Sequence, residues 1–215
     1  MDQEQHNRFT RRITILGLII IVIICAIAAR QERCEARLQE EMIEDMKHEQ
    51  ETFLLYNNLI DATQAYIDMI APRSSVSAEN IINLCDSYNI DLCFVLAQAQ
   101  AESHFGTRGI ASKTHSIFNV KAYDWTTADA MIRNGHGYSH PDDSVEPYIR
   151  LLKNEYLIDG RTTDDLLNNY VNYNGDRFAS SKTYESQLRS IYKKICSTTD
   201  IYELYNQYQE SKYNI

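Results

Sequence analysis

The stretch LCFVLAQAQAESHFG, residues 92–106, decides how this chain is read. Asp91 precedes it as a helix cap, and Gly106 suits its stop. Val95, Leu96, Ala99 and Phe105 make the segment apolar, while Ala97 and Ala101 keep it thin. Glu102 follows Ala99 by three residues and Val95 by seven, which places it on the buried side near the helix C-terminus. A carboxylate there is desolvated and faces the negative end of the helix dipole, and both effects raise its pKa. A carboxylic acid still protonated near neutral pH can give a proton to a leaving glycosidic oxygen. From position alone, an ordinary salt bridge to Arg108 or Lys113 is the simpler account of Glu102.

Working outward, the spacing predicts a helical domain over residues 74–198 with a single core. Ser77 caps a helix whose inner face carries Ile81, Leu84, Cys85 and Tyr88. Residues 107–140 hold half of the domain's glycines and read as loops. Ser144 caps a third helix with Val145, Tyr148, Ile149 and Leu152 inward, and Pro147 is tolerated in its first turn. Thr163 caps a short helix over 164–172. Ser181 starts the last one, with Tyr184, Leu188, Ile191 and Ile195 in line. No segment sustains the alternation of a strand, and no internal repeat is present. The tail, residues 199–215, is polar and Tyr-rich and reads as mobile or loosely helical.

The N-terminal third has a different character. After a short tail, residues 1–12, residues 13–29 (ITILGLIIIVIICAIAA) carry no charge and lie between Arg12 and Arg30. Seventeen apolar residues reach the short end of a bilayer-spanning helix. Two readings stand: an uncleaved transmembrane signal anchor, or a secretory signal cut after Ala26-Ile27-Ala28. The length of the run favours the anchor, which places the protein in the cell membrane as a single-pass chain with its C-terminal domain outside the cytoplasm. Residues 30–73 lack Gly and have their only Pro at Pro72. Leu38, Met42 and Met46, then Phe53, Leu59, Tyr66 and Ile70, give an imperfect apolar stripe. This predicts a helical stalk able to self-associate.

The whole chain has 215 residues, 44% hydrophobic, with a formal net charge of -9. Its mean hydropathy of -0.43 excludes a polytopic membrane protein, and its aromatic content excludes general disorder. The charge excludes an overall basic field for nucleic acid. The domain itself is nearly balanced, with 12 Lys+Arg against 15 Asp+Glu over residues 74–198. The cysteines at 25, 34, 85, 93 and 196 form no CxxC pair, which argues against a disulfide framework or zinc site. Cys85 and Cys93 read as buried thiols, and Cys34 could cross-link two stalks. His104, His115, His136 and His140 lack metal-ligand spacing, so neither metal nor other cofactor is expected.

FVLAQAQAESHFGTRGIASKTHSIFNVKAYD, residues 94–124, resembles the glucosaminidase family that includes bacterial autolysins (glycoside hydrolase family 73). That family carries an Ala-Gln-rich helix ending in Glu-Ser-x-Trp-Gly, then an Asn-Leu-Phe-Gly segment. Here the motifs read Glu102-Ser103-His104-Phe105-Gly106 and Ser116-Ile117-Phe118-Asn119. Ser144-Val145-Glu146-Pro147-Tyr148 is similar to the family's Ser-containing helix start. Phe178-Ala179-Ser180, with Tyr184 and Leu188, is similar to its Tyr-Ala-Thr ending.

The resemblance implies a mainly α, lysozyme-like domain. It implies cleavage of a β-1,4 bond beside N-acetylglucosamine in peptidoglycan, with Glu102 as general acid. Glycan strands are then the partner, and Phe105, Ser116, Phe118, Asn119, Tyr123, Trp125 and Tyr138 are candidate substrate contacts. The chain also departs from the family. Phe178 lacks the hydroxyl that many members use at the cleft, and Tyr173 is the nearest substitute. The middle is too short for the family's hairpin with its second carboxylate. Asp124 is the first candidate for that role, ahead of Asp129, Asp142 and Asp143, and assistance from the substrate's acetamido group is the alternative. A catalytically silent glycan-binding or scaffolding module is the competing reading. Bacterial and phage settings imply the same chemistry.

Overall fold

The computed structural model describes residues 3–119 and 137–213, without the side chains of residues 3–16, 19, 20, 24, 28 and 29. The chain divides into two units, Met1–Glu51 and Thr52–Ile215. α1 spans Gln3–Ile70. In the first unit Leu38, Met42 and Met46 are exposed. The apolar run 13–29 falls partly outside the described residues. Among those that are described, no helix is long and apolar enough to cross a membrane.

The second unit is mainly helical, and among its described residues only an isolated Val171–Arg177 bridge departs from helix, turn and loop. Its helices are α2 (Ala78–Tyr88), α3 (Leu92–Ser103), α4 (Ala111–Thr114), α5 (Val145–Leu151), α6 (Thr163–Asn168), α7 (Tyr184–Thr198) and α8 (Ile201–Tyr213). A 3-10 turn, Pro141–Ser144, leads into α5, and a π-helical turn, Leu152–Tyr156, leads out of it.

α3 is the central element. Every residue from Leu92 to Ala99 is buried, Gln98 included. A helix that is apolar all round needs neighbours on every side. α2, α7 and the end of α1 supply them, through Ile81, Ile82, Leu188, Ile195, Tyr66 and Ile67. The C-terminal part of the expected stalk therefore belongs to the core. Leu59 and Ile67 are fully buried, and the Gln64 side chain accepts the Ala78 N–H at 3.0 Å.

Ser77 and Asp91 cap α2 and α3 as read from sequence, accepting the Asn80 and Phe94 N–H groups. Ser144 does not cap α5: Pro141 opens a 3-10 turn one step earlier, and His140 with Asp143 forms its capping box. α6 is capped by Thr162 instead of Thr163 and ends at Asn168, because extended Asn169 leads the chain to the Val171–Arg177 bridge. α7 starts at Tyr184, three residues past Ser181.

The tail is also ordered differently from expectation. α8 buries Ile201 and Tyr208, the Tyr56 and Tyr208 rings lie 5.4 Å apart, and Lys212 pairs with Asp86. Ile201, Leu204, Tyr205 and Tyr208 stand at helical spacing, so a weakly amphipathic segment is fixed by docking.

Gly106 closes the turn after α3 with φ +81°, and a Cβ there would lie 2.9 Å from Ile117 Cγ2. Gly106→Ala is expected to lower the unfolding free energy by about 1–3 kcal/mol. Urea denaturation monitored by circular dichroism checks this.

Candidate active site

The site begins where α3 stops. His104, Phe105 and Gly106 all take positive φ (48°, 53° and 81°), a costly run for two non-glycine residues. Tertiary bonds hold it. Ser103 Oγ accepts the Gly106 N–H at 2.7 Å and donates to Ile117 O at 2.5 Å. Ser74 Oγ donates to Phe105 O at 2.7 Å. The Phe105 ring is buried with its edge toward Tyr66. The turn thus presents Glu102 at a fixed place on the last turn of α3.

The second motif is tied to the first through Ile117. Its carbonyl is taken by Ser103, and its N–H donates to Ser144 Oγ at 3.1 Å. Phe118 then stacks on Tyr148, with ring centroids 3.7 Å apart. Asn119 turns with φ 50° and sends its side-chain amide to Glu102. Asn119 Nδ2 donates to the Glu102 carbonyl at 2.9 Å and to Oε2 at 3.3 Å.

From the other side, the Tyr184 hydroxyl donates to Glu102 Oε1 at 2.5 Å. Tyr184 stands in the first turn of α7, so the packing of α7 on α3 delivers this hydroxyl. Below it, Gln98 Oε1 accepts the Tyr170 hydroxyl at 2.8 Å and also the Tyr148 hydroxyl. Phe178, which lacks a hydroxyl, stacks on Tyr170 at 4.6 Å between centroids.

Burial pushes the Glu102 carboxyl above the ordinary carboxylate range, and the bonds from Tyr184 and Asn119 partly oppose that rise. Among the described residues neither Arg108 nor Lys113 pairs with it. The ion-pair account of Glu102 therefore lacks its partner here.

The folded state holds the Glu102 proton to higher pH than the unfolded chain does. Its contribution to stability is full below the unfolded pKa and is lost as pH rises through the folded one. Glu102→Gln is expected to remove this loss. The variant's melting temperature should gain on the wild type as pH rises from acidic to neutral, as read by thermal melts.

The remaining candidates separate. Asp124, Tyr123 and Trp125 lie outside the described residues, as does Asp129. Phe105 and Phe118 are both 1% exposed, so neither ring offers a face to a sugar; their motif positions serve the core. Ser116 is buried beside them. Tyr138 is half-buried, its carbonyl bonded to His115 Nδ1 at 2.7 Å and its hydroxyl pKa raised by burial. Tyr173 is 59% exposed, and the hydroxyl on Glu102 comes from Tyr184 instead. Asp142 is a structural group, accepting the Ser77 N–H at 2.9 Å, and Asp143 belongs to the His140 capping box.

Sequence reasoning placed Tyr184 on a helix face and in the family-like ending, and Ser103 and Ser144 within motifs, but gave none of them a contact at the site, and it did not single out Gln98. Membership of the motifs was the signal for Ser103, Ser144 and Tyr184, and Gln98 had only its place on the Ala-Gln-rich helix. Among the described residues no cluster of His, Cys, Asp and Glu could hold a metal ion.

A protein-family model described as "Glucosaminidase: Mannosyl-glycoprotein endo-beta-N-acetylglucosaminidase" matches residues 78–197. No curated protein matches the chain. The matched segment runs from α2 to the penultimate residue of α7 and contains every contact to Glu102 described above.

Proposed function

This chain belongs to the glucosaminidase family, and from that premise we propose that it is a peptidoglycan hydrolase that cleaves a β-1,4 bond beside N-acetylglucosamine. The observation that carries the reading is Glu102. It is a carboxyl with its pKa raised by burial, gripped on both oxygens by neutral donors, and without a cationic partner among the described residues. Those are the conditions of a general acid rather than of a structural ion pair.

In the proposed mechanism Glu102 protonates the glycosidic oxygen as the bond to the anomeric carbon breaks. Oε1 is engaged by Tyr184 at 2.5 Å, whereas Oε2 meets Asn119 only at 3.3 Å. Oε2 is therefore the oxygen that carries the proton to the substrate. After transfer, the two donors stabilise the carboxylate that remains. Asp124 remains the proposed second carboxylate. The helical fold around a buried-end Glu is in keeping with a lysozyme-like domain. The apolar run 13–29 supports delivery of that domain to the outer side of the membrane, where its substrate lies.

The test is mass spectrometry of muropeptides released from purified sacculi. New ends at N-acetylglucosamine are expected. Ends at N-acetylmuramic acid would replace the assigned bond, and binding without release would remove the hydrolase reading.

A further inference from the structure

One turn before Glu102 on α3 stands Gln98, fully buried and on the same helix face. Its Oε1 accepts two hydroxyls, from Tyr148 of α5 and from Tyr170 at 2.8 Å. Those partners lie 50 and 72 residues away along the chain. Each tyrosine in turn supports one of the two donors on Glu102. The Tyr148 ring stacks on Phe118 at 3.7 Å between centroids, and Phe118 directly precedes Asn119. The Tyr170 ring packs against Tyr184, with centroids 6.1 Å apart, and Phe178 lies against both.

We propose that Gln98 is a positioning residue of the site: its one buried oxygen fixes the two tyrosines that seat Asn119 and Tyr184 on Glu102. The proposal rests on the reading of Glu102 as general acid. Gln98 acts through the two donors, without touching the substrate.

Packing alone is a poor account of this amide. Its Nε2 is buried with no hydrogen-bond partner among the described residues, which costs stability. An apolar side chain between two phenylalanines would fill the same volume without that orphan. Apolar rings can slide, however, whereas hydroxyls bonded to one shared oxygen hold both ring tips in place. The amide is also neutral. A carboxylate there would repel the charge left on Glu102 after proton transfer, and a cation would favour early loss of the proton. Among the described residues the titratable groups facing Glu102 are Tyr184 of α7, with Tyr148 of α5 and Tyr170 behind it. Burial raises all three hydroxyls, so they stay neutral while the carboxyl titrates.

The Glu102 carboxyl is followed by NMR titration of the full chain in detergent, with isotope-labelled glutamate, and Glu102→Gln identifies its signal. In Gln98→Met the donors sit less firmly and burial is less opposed, so the midpoint is expected to rise by roughly 0.5 in pH. In a chain already carrying Tyr184→Phe and Asn119→Ala, Gln98→Met is expected to move the midpoint no further. A lowered melting temperature with the midpoint unchanged would overturn the proposal. So would an equal rise in both backgrounds, which would report lost polarity beside Glu102 rather than loosened donors. Tyr148→Phe and Tyr170→Phe each cut one bond to Gln98 and keep the ring, and each is expected to give part of the rise. They decide the matter should Gln98→Met not fold, and no rise in either would overturn the proposal. The titration needs no substrate, so a failure of the hydrolase reading would show separately, as binding to sacculi without release.

Discussion

Glu102→Gln is expected to abolish hydrolysis of sacculi, with kcat falling by about 10³-fold or more. The amide keeps the shape of the side chain and can still accept from Tyr184 through its oxygen. It cannot deliver a proton. Because the wild-type carboxyl is raised by burial, the amide also spares the fold a desolvated charge. The variant should therefore fold at least as well as the wild type at neutral pH. Release of reducing ends, measured beside a thermal melt, separates chemistry from stability. Wild-type release rates in a well-folded variant would take Glu102 out of the mechanism.

Tyr184→Phe is expected to have the second largest effect, lowering kcat by about 10- to 100-fold, the worth of one hydrogen bond to a charged group. The hydroxyl bonds Glu102 Oε1 at 2.5 Å and favours its ionised form. Removing it leaves burial less opposed, so the Glu102 pKa rises further. A general acid works in its protonated form, and the rate falls as pH climbs past its pKa. The alkaline limb of the kcat–pH profile should therefore move to higher pH in the variant. A purely structural role for Tyr184 would lower the rate without moving that limb. The ring is packed beside Phe178 and Tyr170, so Phe fills the same space.

The motif residues carry more than one job, and the structure sorts them. Glu102 faces the site, while Phe105 turns its ring into the core and Ser103 stitches the turn to Ile117. A sequence motif lists these residues side by side with no indication of direction. α3 is buried nearly all round, so its periodicity could not tell a cleft face from a core face. The tail was misread for a related reason. Its polar average hid the four apolar positions of α8, and the surface offered by α1, α2, α3 and α7 makes that stripe worth burying.

By itself the sequence determined the helical class of the domain, the caps at Ser77 and Asp91, and the candidacy of Glu102. These rest on local rules: spacing within one helix, a cap beside its N–H groups, and a carboxyl on an apolar face. Tertiary structure alone decided what holds Glu102. Asn119 and Tyr184 lie 17 and 82 residues away from it along the chain, and no spacing rule links residues so distant. The same reason explains Tyr173, a fair candidate by proximity in sequence that lies exposed, while Tyr184 has its hydroxyl on the carboxyl. Hydrogen bonds form between neighbours in space, and the packing of α7 on α3 chose those neighbours.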